Sequence, residues 1–200
     1  MGNDKGKRIV ELNLEKELVH GICVSNLAFH VAKEIQLSNQ QCYELAIAGM
    51  LHDVGKLEIA KYIYARGDTL EIEEMKYVRT HSTLGYTMLD KQEYSAFILE
   101  SILYHHENYD GSGYPSNLSE DEIPLGARIL RVCDVFAALT SDRPYRRSFD
   151  MDTAVELMIE EAKNFDMKIF LAFLRVIHED WIEEMLDKEG IRFNLEEDFL

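Results

Sequence analysis

The distribution of proline is the feature that most constrains the fold of this chain. All three prolines, Pro115, Pro124 and Pro144, lie between residues 115 and 144, so little interrupts a helix elsewhere. Apolar side chains recur at helical spacing before and after that stretch. No segment alternates between apolar and polar residues as a half-buried strand does. The sequence therefore predicts an all-α fold.

The apolar pattern predicts roughly seven helices. They are expected over residues 8–35, in a second segment capped by Ser38, and over residues 71–90, 94–107, 125–141, 151–164 and 167–187. A loop rich in Gly, Asn, Ser and Asp, with the sequence HENYDGSGYPSNLSEDEIP, separates the fourth helix from the fifth. The chain has 200 residues, which is the size of one compact domain.

The charge balance excludes some classes of partner. The chain has 21 Lys and Arg residues against 37 Asp and Glu residues, a net charge of −16. This excess of acid argues against a protein that coats nucleic acid or an anionic membrane, although a pocket can still be positive. The three cysteines are far apart and include no CxxC pair, and neither a membrane span nor a signal core is visible. We therefore expect reduced thiols and a cytoplasmic location.

Several polar residues lie inside or beside apolar runs. They are His20, His52, Asp53, His105, His106 and Asp134. A carboxylate buried alone costs several kcal/mol, so it is normally paired or bound to a metal. Each residue taken alone could be a satisfied core or helix-end residue. Together they form a good ligand set for a dinuclear centre, and imidazole and carboxylate without thiolate suit Fe, Mn or Zn.

Basic residues accompany this set. Lys56 follows His52 by four residues, one turn further if the helix continues through Gly55. A lysine beside metal ions makes sense if an anion lies between them; otherwise it is a solvated surface residue. Residues 123–149 contain five Arg and two Asp, a local charge of +3. Arginine can bind phosphate oxygens with two parallel bonds, but a solvated patch that balances the acidic remainder is equally consistent with composition.

Three strings in this order resemble the HD-GYP family, a branch of the HD-domain metal-dependent phosphohydrolases. They are HDVGK at 52–56, HHENYDGSGYP at 105–115 and RVCDVFAALTSDRPYR at 131–146. The second string is the most specific, because it matches all eight defined positions of the pattern HHExxDGxGYP. The resemblance implies a single HD-domain helical bundle. We expect a lead-in over residues 1–15, the catalytic domain over 16–187 and an acidic tail over 188–200.

The resemblance also implies an activity. Members typically hydrolyse cyclic di-GMP to pGpG, and often on to GMP, through a hydroxide that bridges two metal ions. We expect two divalent ions here, Fe or Mn, with Zn, Mg or Ni compatible with a purified sample. The expected partner is a cyclic dinucleotide, with no polymeric nucleic acid and no membrane. A sensor or diguanylate cyclase partner and a homodimer are compatible with this interpretation.

The resemblance assigns roles by position. His20, His52, Asp53 and Asp134 are the implied ligands of one metal; Asp53 bridges to a second metal held by His81, His105 and His106. The implied catalytic residues are Asp53, the partner for the proton of the attacking water, and Lys56. The implied substrate-binding residues are Lys56, Tyr114, Arg143 and Arg146. His30 and His178 remain ordinary residues of amphipathic helices.

The chain departs from common family patterns at three positions. Some members have a glutamate for a third metal at the position of Lys16. Glu17 is adjacent, but one residue turns a helix by about 100°, so we expect that it does not substitute and that two metals bind. Many members have Asp at the position of Ala137, which would reduce activity here if that Asp supports proton transfer or orients the lysine. Ser82 replaces a proline, with no expected consequence.

Two alternatives remain open. In the first alternative, the chain hydrolyses another cyclic dinucleotide, such as a mixed GMP–AMP ring, or another nucleotide. In the second, the chain is a catalytically weak receptor or scaffold that binds cyclic di-GMP. Ala137 keeps the second alternative open, whereas the complete ligand set and Lys56 favour an enzyme.

Overall fold

A computed structural model of the protein describes residues 14–63, 76–142, 147–179 and 182. Within these ranges it contains eight α-helices, two short 3₁₀ helices and no strand, so the all-α prediction is confirmed. The helices are α1 (Leu14–Glu34), α2 (Asn39–Leu51), α3 (Lys56–Ile63), α4 (His81–Leu89), α5 (Ala96–Tyr104), α6 (Leu125–Thr140), α7 (Met151–Glu160) and α8 (Met167–Val176). The 3₁₀ helices cover Glu120–Glu122 and Ala162–Asn164.

Helices α1 and α6 lie at the centre of the bundle. Helix α1 packs against α2, α6 and α8, and α6 also packs against α5, α7 and α8. Side chains such as Leu27, Leu45, Phe136 and Phe173 are fully buried at these contacts. Because α6 is covered on several sides, Asp134 in its middle is buried together with its apolar neighbours. The fold therefore places a carboxylate in the interior of the bundle.

Helix ends account for most differences from the sequence prediction. In the described part of the predicted helix 71–90, residues 79–80 form a turn and α4 begins only at His81. Helix α5 ends at Tyr104, before the histidine pair, and α3 is a separate helix that periodicity did not predict. The last predicted helix ends at Val176. Apolar periodicity continued across these breaks because residues on both sides of each break face the same core.

Capping side chains explain where several helices begin. Ser38 accepts a hydrogen bond from the backbone N–H of Gln41 in a capping box, as the sequence predicted. The side chains of Ser95, Asp150 and Asp166 likewise accept a backbone N–H in the first turns of α5, α7 and α8, without a capping box. In the described part of the chain, no helix combines the length and the apolar character needed to cross a membrane.

Candidate metal centre

Three candidate ligands are oriented by the helix ends that precede them. His52 follows α2, His105 follows α5, and His81 follows the helical residues 76–78. The ring Nδ1 of each donates a hydrogen bond to the backbone carbonyl three residues earlier. The acceptors are Gly49 (2.7 Å), Val78 (2.8 Å) and Ile102 (2.6 Å) for His52, His81 and His105 respectively. A carbonyl oxygen can only accept, so Nδ1 carries a proton; in the neutral ring Nε2 then presents its lone pair, as is usual for metal-ligating histidines.

The first ligand group consists of His20, His52 and Asp134, all buried. Helix α1 supplies the first residue, the end of α2 the second and the middle of α6 the third. Oδ1 of Asp134 lies 3.0 Å from Nε2 of His20 and 3.7 Å from Nε2 of His52. Nε2 of His52 is buried and makes no hydrogen bond to any described residue. A buried ring nitrogen that faces carboxylate oxygens without a hydrogen bond is satisfied together with them by a bound cation, so these residues fit a metal ion.

The second ligand group consists of Asp53, His81, His105 and His106. Nε2 of His81 lies 3.3 Å from Nε2 of His105 and 3.0 Å from Nε2 of His106. Because Nδ1 of both His81 and His105 donates to a carbonyl, their neutral rings direct two Nε2 lone pairs at each other with no hydrogen between them. A cation among these nitrogens accounts for their convergence.

Asp53 joins the two groups. Its Oδ2 lies 3.2 Å from Nε2 of His52 and 3.8 Å from Nε2 of His20, whereas its Oδ1 lies 3.3 Å from Nε2 of His81. The two oxygens of one carboxylate therefore face different ligand groups. The structure thus brings together all seven ligand candidates named from the sequence, and their roles as ligands stay a prediction.

The two groups differ in their electrostatics. Burial alone would lower the pKa of His52, but the negative charges of Asp53 and Asp134 outweigh it and raise the pKa to about 10. Burial likewise opposes ionisation of both carboxylates, yet His52 holds the pKa of Asp53, and His20 and His52 that of Asp134, well below the usual range. The first group therefore carries an ion pair, with His52 protonated, when no metal is bound.

The pKa values of the histidines in the second group are shifted in the opposite direction to that of His52. Burial lowers the pKa of His81, and burial together with the neighbouring His106 holds the pKa of His105 well below its usual range. Burial is also the main cause that lowers the pKa of His106, to about 3. These three rings are therefore neutral at pH 7, which is the form that binds metals.

A close helix contact positions the second group. Helix α2 does not continue through the HD pair: residues 52–55 form turns, and α3 begins at Lys56. Gly55 lies so close to α4 that a Cβ there would overlap the carbonyl oxygen of His81 and lie 2.6 Å from the backbone nitrogen of Gly85. The absence of a side chain at this position lets α4 bring His81 up to Asp53.

Lys56 lies beside Asp53. Its Nζ donates to Oδ2 of Asp53 at 2.5 Å and to Oε2 of Glu17 at 3.1 Å. Burial would lower the pKa of Lys56, but the two carboxylates raise it, so the ammonium is retained. The carboxylate of Glu17 thus lies at the edge of the site, closer to the ligand groups than its angular offset from Lys16 on α1 indicated. Lys16, the position of the third-metal glutamate in some relatives, is exposed.

Tyr114 of the glycine-rich loop borders the second group, as expected. Its ring stacks on the ring of His106 with a centroid distance of 4.7 Å and an interplanar angle of 27°. The guanidinium of Arg79 lies over the Tyr114 ring, 5.3 Å from its centroid. Gly113 makes this close approach possible, since a Cβ there would overlap the backbone of His106 and Asn108.

Glu107 is a structural determinant of this loop that sequence reasoning missed. Its side chain is buried, and Oε1 accepts a hydrogen bond of 2.6 Å from the backbone N–H of Ser116. The backbone groups of Asn117 and Leu118 also favour its ionised form, although burial raises the pKa of Glu107 overall. The carboxylate therefore fastens the segment after Tyr114 to the histidine pair. The only sequence signal was its fixed place in the HHE string.

The basic residues of α6 separate into two environments. Nη1 of Arg128 donates to Asp121 and Asp166, at 2.8 Å each, and lies away from the ligand groups. Arg131 is one turn before Asp134, and its Nε donates to Oδ1 of Asn108 at 3.0 Å. The candidates Arg143 and Arg146 lie outside the described residues.

The remaining sequence candidates lie where ordinary packing explains them. Ala137 and Ser82 are fully buried, Ala137 within the apolar core. His30 packs edge to face against Phe29, and His178 is exposed after the end of α8. Neither histidine belongs to a ligand group within the described part of the chain.

The fold and the site define an all-helical protein with two adjoining His/Asp ligand groups. A family model described as HD domain matches residues 5–169, and the chain belongs to this HD-domain family. The finding agrees with the resemblance drawn from the HDVGK string.

Two curated relatives of the chain are phosphodiesterases named for cyclic dinucleotides. The chain is 36% identical over 164 residues to a cyclic di-GMP phosphodiesterase of Pseudomonas aeruginosa, covering 82% of this chain and 40% of that protein. It is 32% identical over 169 residues to 3'3'-cGAMP-specific phosphodiesterase 1 of Vibrio cholerae, covering 84% of this chain and 39% of that protein. The chain thus spans about two fifths of the length of these curated relatives.

A solved structure supports the fold. An HDG"Y"P protein from Bdellovibrio bacteriovorus superposes with a TM-score of 0.67 at 18% identity, covering 84% of this chain and 54% of that chain. This likeness shows that the two chains share a fold, and the HD-domain match together with the phosphodiesterase relatives supports the resemblance drawn from the sequence.

Proposed function

We propose that this chain is a metal-dependent phosphodiesterase that hydrolyses cyclic di-GMP to pGpG, GMP or both. The observation that carries the proposal is the position of Asp53, whose two oxygens face two separate ligand groups while Lys56 lies beside it. A binding protein needs a cation near a phosphate, but it does not need two adjoining ligand groups that share a carboxylate.

The donor set supports two divalent ions, Fe or Mn in the cell. His20, His52, Asp53 and Asp134 would hold one ion, and Asp53, His81, His105 and His106 the other. Five neutral imidazoles and two carboxylates without thiolate are compatible with Fe, Mn or Zn. When bound, two such ions polarise a phosphodiester and lower the pKa of water at the site.

The side chains around the ligands have roles of their own. Asp53 accepts the proton of the attacking water on a carboxylate oxygen. Lys56 has three N–H donors, of which Asp53 and Glu17 take two, so the third can contact an anionic phosphate oxygen. Tyr114 covers His106 and borders the bound substrate. Arg143 and Arg146 contribute further phosphate contacts, as the resemblance implies.

The relatives favour a cyclic dinucleotide as the substrate. Cyclic di-GMP is named for the Pseudomonas relative, and a mixed GMP–AMP ring for the Vibrio relative. The second relative makes 3'3'-cGAMP the alternative substrate for this chain. Three buried free thiols are consistent with action in the cytoplasm, and residues 16–187 would form the catalytic domain.

Anaerobic purification followed by metal analysis and activity assays tests the proposal. The protein is loaded with Fe(II) or Mn(II) and offered cyclic di-GMP, 3'3'-cGAMP and cyclic di-AMP in parallel. We expect metal-dependent hydrolysis, fastest with cyclic di-GMP, and none from an Asp134→Ala control. A metal-loaded protein that binds these rings without turnover would instead be a receptor.

A further inference from the structure

Arg131 occupies a distinctive position on α6. It precedes Asp134 by three residues, so the two side chains emerge within about 60° of each other around the helix axis. Arg131 is half-buried, and its Nε donates to Oδ1 of Asn108 in the loop that follows the histidine pair. Asn108 is two residues after His106, so this bond holds the guanidinium at the loop that carries part of the second ligand group, and the charge of Arg131 is one of the causes that lower the pKa of His106.

The partners of Arg131 differ from those of Arg128, one turn earlier. Arg128 donates to two carboxylates and is thereby neutralised. Arg131 forms no ion pair within the described ranges, and its Nη1 and Nη2 donate to none of the residues described there. One edge of its guanidinium is thus held by the protein, while the terminal nitrogens keep their hydrogen-bonding capacity.

We propose that Arg131 binds the phosphodiester that is not being cleaved in a bound cyclic dinucleotide. This inference rests on the proposed function. A cyclic dinucleotide carries two phosphodiester anions in one ring, and the site offers cations at two separate points. Lys56 lies beside Asp53, and Arg131 is bonded to Asn108, two residues after His106. An arginine whose plane is fixed through Nε is arranged to bind a phosphate with both terminal nitrogens.

A purely structural role would have a different signature. Asn108 also donates through Nδ2 to Oγ of Ser112, which donates to Asp110, so Arg131 could simply fasten the loop to α6. Loss of a loop fastener would disturb every substrate that reaches the ligand groups. Loss of a second-phosphate contact would affect only substrates that have a second phosphate.

The experiment compares Arg131→Ala with the parent protein on two substrates. Cyclic di-GMP has two phosphodiesters, whereas bis(p-nitrophenyl) phosphate has one. We expect the KM for cyclic di-GMP, and its Kd by calorimetry, to rise about tenfold to one hundredfold, as for the loss of a charged hydrogen bond. Metal content and kcat/KM for bis(p-nitrophenyl) phosphate stay within about twofold of the parent.

Three further variants serve as controls. Arg131→Lys keeps the positive charge but loses the two parallel donors of the guanidinium. Its KM and Kd for cyclic di-GMP should therefore lie between those of the parent and of Arg131→Ala. Asn108→Ala keeps the guanidinium and should weaken cyclic di-GMP binding less than Arg131→Ala does. Arg175→Ala removes an exposed arginine of α8 that pairs with Glu34 of α1 and belongs to neither ligand group, and it should match the parent.

Two results would overturn the assignment of Arg131. One is an unchanged KM and Kd for cyclic di-GMP in Arg131→Ala; the other is an equal loss on both substrates that Asn108→Ala reproduces. Failure of the proposed function looks different, because the metal-loaded parent then hydrolyses no cyclic dinucleotide. If that parent still binds cyclic di-GMP, the Kd comparison alone decides the role of Arg131; if it does not bind, both proposals fall.

Discussion

The two ligand groups are neighbours, yet they satisfy their buried polar atoms in different ways. The first group pairs two histidines with Asp134 inside the helical bundle, and its carboxylates raise the pKa of His52 to about 10. The second group lies at helix ends and has three histidines, whose pKa values burial lowers. Without metal, the first group can hold a proton, whereas the second holds neutral rings with converging lone pairs. The second group therefore depends more strongly on a metal ion.

Removal of the carboxylate that joins the groups should have the largest effect. We expect Asp53→Ala to lose metal from both groups and to lower hydrolysis by far more than the roughly hundredfold loss typical of outer-shell partners. The reason is that Asp53 contacts His52 on one side and His81 on the other. Metal analysis of the purified variant checks this expectation. A full metal complement in Asp53→Ala would show that Asp53 is not a ligand.

Removal of one histidine from each group should separate the two ions. His20→Ala and His106→Ala are each expected to retain about one ion per chain where the parent retains about two, because each leaves the other group intact. Metal content and the affinity for added Mn(II) are the measurements. If either variant alone loses both ions, the groups form one cooperative site and the division between them is wrong.

A change at the contact between α3 and α4 should weaken the second group selectively. Gly55→Ala places a methyl group against the carbonyl of His81, and we expect a loss of about 1–3 kcal/mol in the free energy of unfolding from overpacking. Urea unfolding measures the loss, and metal titration should show weaker binding of one ion. Gly85→Ala is the matched control, since a Cβ there meets its neighbours at 3.4 Å or more. Equal losses in the two variants would refute a specific role for Gly55.

The pH dependence of the metal-free protein should show the opposite pKa shifts. The pKa of His106 is about 3 in the folded state, so below pH 6.5 the unfolded chain binds a proton that the folded chain does not. The free energy of unfolding therefore decreases as the pH is lowered below 6.5. The pKa of His52 is about 10 in the folded state, so its contribution is complete below pH 6.5 and is lost as the pH rises towards 10.

Single variants assign each side of this profile. His106→Gln should make the acid side shallower by about 1 kcal/mol per pH unit, because one titrating group is removed. His52→Gln should flatten the alkaline side, where the folded protein loses the proton held by His52. Urea unfolding between pH 4 and 9, with chelator present, gives both slopes. An acid slope that is unchanged in His106→Gln, or an alkaline slope that persists in His52→Gln, would contradict the assignment.

The sequence alone named the residues that the structure brings together at the centre. Carboxylates and histidines inside apolar runs indicated buried ligands with Lys56 beside them, and the resemblance to HD-GYP proteins added His81 and Tyr114. The all-α fold class followed from the spacing of apolar residues, which depends only on neighbours along the chain. Helix ends were predicted less well, because His81 and His105 lie at breaks where apolar spacing continues although the backbone turns.

Tertiary structure decided which side chains meet. Arg128 and Arg131 are one turn apart in the same basic stretch, yet Arg128 pairs with Asp166, 38 positions away, and Arg131 donates to Asn108 in the loop after the histidine pair. Glu17 on α1 accepts a hydrogen bond from Lys56 at the start of α3, a contact that the angular position of Glu17 on α1 did not indicate. Helical spacing gives the direction of a side chain about its own axis, whereas the partner found in that direction depends on how distant helices pack. The residue types of the centre are therefore determined by the sequence, and the meeting of both ligand groups at Asp53 is determined by the packing of the bundle.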